Sequence, residues 1–108
     1  MIFITGGYQQ GKEQYARTYF PSYTRIQDYH LQLEQCVKDG IDPFIYTQTL
    51  ITTYPHIVII MDEMGCGMVP ISQNDRKLRD IVGQVGCYLA AEATEVYRVI
   101  AGIGSKLK

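Results

Sequence analysis

The chain has 108 residues, 10 basic and 11 acidic, for a net charge of −1, and 46% of its residues are apolar. That balance is the one expected of a single soluble globular domain over residues 1–108, with one modest core. Near-neutral charge argues against a nucleic-acid partner, and no apolar run reaches the ~20 residues of a membrane span. The three cysteines, Cys36, Cys66 and Cys87, fit no metal-binding spacing. They are expected as reduced, buried thiols of a cytoplasmic protein.

Met1 to Thr5 is a short apolar run that ends at Gly6-Gly7, the pattern of a buried parallel strand. Lys12 to Phe20 follows with Tyr15, Ala16, Tyr19 and Phe20 at helical spacing, and Pro21 stops it. From Tyr23 to Asp39, the positions Ile26, His30, Leu33 and Val37 form a helix stripe, with Gly40 as the stop. A brief strand at Tyr23–Ile26 ahead of that helix, with Asp28 as its N-cap, fits as well. Asp42-Pro43 reads as a cap and a first-turn proline, opening a helix over Pro43–Tyr54.

His56 to Met61 is a continuous β-branched run, a strand covered on both faces. A glycine-rich loop over Glu63–Pro70 precedes a long helix. Asn74 or Asp75 is expected to cap it, and its stripe is Leu78, Ile81, Val82, Val85 and Leu89. Glu95–Ile100 is the last clear strand. A turn at Gly102–Ser105 would return a short antiparallel strand, Ser105–Leu107. Strands alternating with helices predict an α/β fold with a mainly parallel sheet.

The junction of the first strand and helix carries the chemistry. Gly6, Gly7, Tyr8, Gln9, Gln10, Gly11 and Lys12 match GxxxxGK, the core of a phosphate-binding P-loop. Glycines let backbone N–H groups turn toward a triphosphate, the helix N-terminus adds its positive dipole, and Lys12 reaches the terminal phosphates. A plain glycine-rich turn is the alternative. Glu13 stands where a Ser or Thr would help to hold Mg²⁺. It is either an unusual ligand that repels phosphate or an acid favoured in a helix's first turn. Asp62 and Glu63 end the apolar strand, where P-loop proteins place the carboxylate that organises Mg²⁺ or water. The other reading is a polar strand end.

The run Asp62-Glu63-Met64-Gly65-Cys66-Gly67-Met68-Val69-Pro70 resembles the N-E-V-G-x-G-I-V-P motif of the bifunctional adenosylcobinamide kinase/adenosylcobinamide-phosphate guanylyltransferase family. Arg79-Asp80-Ile81-Val82-Gly83 resembles that family's R-D-x-x-G, and Ala101-Gly102-Ile103-Gly104 precedes Lys106-Leu107-Lys108 in a matching tail. Thr5-Gly6-Gly7, then Gly11-Lys12, resembles T-G-G-x-x-S-G-K-S. The likeness covers roughly residues 1–20 and 56–108; members are longer, with the excess in the middle.

The resemblance implies a RecA-like P-loop domain of three layers, assembled as a homo-oligomer, a trimer. It also implies phosphorylation of the aminopropanol hydroxyl of adenosylcobinamide with GTP or ATP and Mg²⁺, followed by GMP transfer through a guanylyl-histidine. On this reading Lys12, Asp62 and Glu63 are catalytic, residues Gly6 to Glu13 bind phosphate, and Asp62 holds Mg²⁺. The partners are a nucleotide and a corrinoid, with neither nucleic acid nor membrane.

The departures from the pattern are specific. The family's histidine lies in R-I-x-x-H, whereas Arg25-Ile26 is followed by Asp28, Tyr29 and His30, one residue late. One residue is about 100° around a helix, so His30 is expected to pack on the apolar stripe. His56, after Pro55, is also read as structural. No Arg-Arg-Pro or Trp is present, and Gly86 stands at the Asn of R-D-x-x-G-x-x-N. Guanylyl transfer is therefore expected to be lost. The competing readings are a non-catalytic nucleotide-binding or interaction protein with a decayed P-loop, and a fold remnant without a ligand. Nine Tyr, three Phe and four Met supply more large amphipathic surface than one small core needs, which favours an oligomer.

Overall fold

The computed structural model describes residues 1–63 and 73–108, and side chains 73–75 are left out of the description. The glycine-rich loop beyond Glu63 and Cys66 lie outside the described residues. Five strands form one sheet in the order β2-β3-β1-β4-β5. The first strand, β1 (Ile2–Gly6), sits centrally and pairs in parallel with β3 (Ile57–Asp62) and β4 (Glu95–Ile100). The short β2 (Thr24–Ile26) adds to β3 in parallel, and β5 (Ile103–Lys106) closes the other edge antiparallel to β4. This is the expected α/β architecture with an antiparallel C-terminal edge.

Alternation sorts the strand residues into two layers. Phe3, Ile57, Ile59, Met61 and Val96 pack against α2 (Tyr29–Lys38), α3 (Pro43–Thr53) and α4 (Gln73–Glu92). Ile2, Ile4, Val58, Ile60 and Val99 face α1 (Lys12–Tyr19), where Ala16 is buried against them. The continuous apolar run of β3 is explained by this double cover: five of its six residues are buried. No helix among the described residues is long and apolar enough to cross a membrane.

Local signals hold where a side chain meets its own backbone. Asp42 caps α3, its Oδ1 accepting from Phe44 N at 2.8 Å and Ile45 N at 3.4 Å, with Pro43 in the first turn. The α4 stripe is confirmed at Val82, Val85 and Leu89, all buried. Asn74 and Asp75 fall within the bounds of α4, and the capping expected of their side chains lies outside the described residues.

Several expectations are corrected. The helix stripe of 23–39 breaks at a strand. Ile26 belongs to β2, and α2 buries Tyr29, Leu33 and Cys36, whereas Val37 faces solvent. Asp28 precedes α2 as expected but makes no side-chain cap bond, because its left-handed backbone (φ 50°) replaces the usual extended cap geometry. Tyr19 is exposed, its ring tilted by 41° against that of Tyr15 with centroids 4.5 Å apart. Cys87 is exposed; Cys36 alone of the described cysteines is buried, and burial pushes its thiol pKa up.

The C-terminal turn is tighter than expected. Ile100 pairs directly with Ile103, leaving a two-residue loop of Ala101 (φ 50°) and Gly102 (φ 77°). Two consecutive left-handed residues match the twist of a hairpin. An alanine in that conformation is unusual, and it is held from outside the hairpin, as described next.

Candidate functional site

The glycine loop of residues 6–11 leaves the C-terminal end of central β1 and opens directly into α1. Gly11 takes the left-handed conformation (φ 88°) at the helix N-terminus, and Gln9 is also left-handed (φ 54°). The loop is clamped to the β4–β5 turn. Gly102 N donates to Gln10 O, and Ala101 N donates to Gln10 Oε1, both at 2.8 Å. A Cβ on Gly11 would stand 3.2 Å from Gly102 Cα, and one on Gly104 would overlap the Tyr15 ring. These glycines are required by close approach of backbone and ring, and the turn's strain is matched by the Gln10 bonds.

Beside the loop lies a cavity of about 460 Å³ on the α1 side of the sheet edge. Tyr8, Gln9, Gln10, Gly11, Lys12 and Glu13 line it, as do Asp28 and Asp62 from the ends of β2 and β3. Gly6 and Gly7 are not among its lining residues. Gly6 packs under Val99 O, and Gly7 offers its carbonyl to Lys12.

The Lys12 side chain is 6% exposed, with Nζ 2.5 Å from Gly7 O and 2.7 Å from Asp62 Oδ1. A buried ammonium with a carboxylate and a carbonyl partner has its charge satisfied. Glu13 forms an ion pair with Arg17 one turn along α1, on the exposed surface. Glu63 turns away from Lys12: its carboxylate takes a two-point bond from Arg98, Nε–Oε1 2.8 Å and Nη2–Oε2 3.0 Å. Its backbone N–H donates to Gly6 O at 2.8 Å, tying the ends of β1 and β3 together.

His30 is the neighbour of Asp62 that sequence reasoning had placed on the apolar stripe. Asp62 N donates to its Nδ1 at 3.3 Å, and its Nε2 lies 3.7 Å from Asp62 Oδ2. It therefore stands against the strand-end acid and not on an apolar stripe. Only the β2–α2 junction, which starts the helix at Tyr29, turns it there. His56, by contrast, stacks on Tyr23 with ring centroids 3.9 Å apart, the structural role expected.

Asp28, His30 and Asp62 place ligand atoms within 4.8 Å of one another. The two carboxylates offer the oxygen donors that Mg²⁺ prefers, so the residues fit the cation. Glu13, at the position of the hydroxyl ligand, is not in this group.

A family model described as cobinamide kinase / cobinamide phosphate guanyltransferase matches residues 31–107. The chain is 48% identical over 52 residues to the bifunctional adenosylcobalamin biosynthesis protein CobU of Escherichia coli strain K12, and 46% identical over 52 residues to that of Salmonella typhimurium. Each match covers 48% of this chain but only 29% of the relative. The family match includes the middle segment 31–55, which the sequence resemblance left out. The glycine loop lies outside the matched residues, so its reading rests on its own residues and geometry.

Proposed function

The chain belongs to the cobinamide kinase / cobinamide phosphate guanyltransferase family, and from that premise we propose that it binds GTP or ATP with Mg²⁺ and serves cobalamin biosynthesis. The proposed reaction is phosphoryl transfer to the aminopropanol hydroxyl of adenosylcobinamide. The observation that carries it is Lys12, buried under the glycine loop and held on Asp62 beside a cavity that the loop and helix N-terminus line.

In this reading the N–H groups of Gly7 to Glu13 and the α1 dipole receive the phosphates. Lys12 leaves Gly7 O for the terminal phosphate, and Asp62, placed by His30 and the β3 end, orients the attacking hydroxyl. Asp28 and Asp62 would hold Mg²⁺, which supplies neutralisation of charge on the phosphates when bound. Glu63 steadies the β1–β3 end through Arg98 and Gly6 O. Guanylyl transfer is lost, since the His30 Nδ1 is taken by Asp62 N and its Nε2 faces a carboxylate.

Equilibrium binding of GTP and ATP, with and without Mg²⁺, tests this. Lys12→Ala is expected to weaken nucleotide binding by ~1.5–3 kcal/mol, roughly 10- to 150-fold, as expected for a lost phosphate-paired charge. Unchanged affinity overturns the reading. The second reading, a non-catalytic nucleotide-binding protein, is favoured by Glu13 standing at the hydroxyl position, paired with Arg17. Nucleotide binding without turnover selects it.

The same proposal includes a cytoplasmic homo-oligomer, a trimer by family likeness. Its support is the exposed Ile100, Ile103 and Leu107 along the β5 edge, apolar surface that an open edge does not need. Light scattering at micromolar concentration is expected to exceed the 12.3 kDa of one chain; a clean monomer mass overturns it.

A further inference from the structure

The glycine loop and the β4–β5 hairpin meet at several points. Gly6 lies under Val99 O, where a Cβ would stand 2.5 Å from that oxygen, and Gly11 faces Gly102 Cα. Between these contacts Gln10 accepts two bonds of 2.8 Å, its main-chain O from Gly102 N and its Oε1 from Ala101 N. In both the hairpin donates and the loop accepts, so neither bond uses a loop N–H that an anion would need.

The side-chain bond belongs to glutamine at this position. Gln10 stands at the Ser of T-G-G-x-x-S-G-K-S, and serine is two carbons too short to span the same gap. At the other end of the bond Ala101 holds φ 50°, a region that residues other than glycine rarely enter. Gln10 lines the cavity beside Lys12, whereas Ala101 and Gly102 are not among its lining residues. A turn away from the cavity is thus fixed by a residue on it.

We propose that Gln10 is a positioning residue, which through Ala101 and Gly102 makes the affinity of the glycine loop for a triphosphate depend on the β4–β5 turn. The inference rests on the triphosphate reading of the loop, and it adds to that site a hairpin turn outside the cavity. The physical means is preorganisation. A loop whose left-handed Gln9 and Gly11 are fixed beforehand loses less conformational freedom when phosphate binds. Such coupling is reciprocal, so a bound triphosphate must in turn stabilise the bonds of Ala101 and Gly102.

The test uses the whole chain with GTP and Mg²⁺ as the probe. Calorimetry reads affinity, and hydrogen exchange followed by NMR reads the amides of Ala101, Gly102 and Leu107. Leu107 N donates to Val96 O at 2.8 Å at the far end of the same hairpin and serves as the reference. In the parent, saturating GTP is expected to slow exchange at Ala101 and Gly102 several-fold and to leave Leu107 within about twofold. No slowing, or equal slowing at all three, overturns the proposal. Gln10→Met keeps the length of the side chain and removes the acceptor, so GTP affinity is expected to fall several-fold. Affinity within about twofold of the parent overturns it. Ala101→Gly in the Gln10→Met background lets the turn stay left-handed without the lost bond, and most of the affinity is expected to return. If none returns, Gln10 acts by direct contact with the ligand, and the positioning role is overturned. A parent that binds no GTP sinks the triphosphate reading and the coupling together; GTP binding with unchanged exchange sinks the coupling alone.

Discussion

On the face packed by α2, α3 and α4, eleven buried residues among those described form one cluster; on the face under α1 there are six, fringed by Tyr15, Phe20, Tyr23 and Tyr97. The thick face is closed by side chains from three helices, including the fully buried Tyr29, whose hydroxyl meets Thr47 Oγ1 at 2.6 Å. Among the described residues the thin face is covered by one eight-residue helix, and its order comes from glycines, a hairpin turn and tilted aromatic rings. Burial is concentrated on the first face and the glycine loop lies on the second. In the proposed reading Lys12 has to leave Gly7 O, a movement better carried by the less consolidated side.

The largest expected effect comes from breaking the thick face. Leu89→Ala, at a fully buried position, should cost about 2–5 kcal/mol in urea unfolding, with GTP affinity of the folded fraction unchanged. The thin face should respond the other way. In Gly104→Ala the new methyl overlaps the Tyr15 ring, one turn into α1 from the glycine loop. A stability loss of about 1–3 kcal/mol is expected together with several-fold weaker GTP binding, read by calorimetry on the same sample. Loss of stability with unaltered affinity would show that the brace and the loop are independent.

The smallest effect is a pH signature. Burial raises the Tyr29 pKa above its ordinary value near 10, so the folded state disfavours the phenolate. Its contribution is present below pH 10 and declines as pH rises beyond it. Tyr97, pushed up to about 12 by desolvation and by Glu95, adds a decline between pH 10 and 12 on the thin face. Tyr29→Phe should lose about 1 kcal/mol at neutral pH, the worth of one hydrogen bond, and show a shallower alkaline decline in unfolding free energy. An alkaline limb identical to that of the parent would place the signature on the thin face, where burial raises the pKa of Tyr97 and of Tyr15.

What the sequence determined by itself was local or periodic. The run His56–Met61 announced a doubly covered strand because both of its faces are apolar. Asp42-Pro43 announced a helix start because the cap is satisfied within three residues. Gly6-Gly7 and Gly11-Lys12 marked the loop, since left-handed backbone and a helix N-terminus leave a glycine signature. What only the tertiary structure decided depends on which strand ends lie side by side. His30 reaches Asp62 because β2 pairs in parallel with β3, and Glu63 reaches Arg98 because its strand and β4 flank β1. Ala101 turns left-handed because Gln10, ninety-one residues earlier, accepts its N–H. Contacts across such separations leave no spacing to read; they exist only once β1 is seated between β3 and β4.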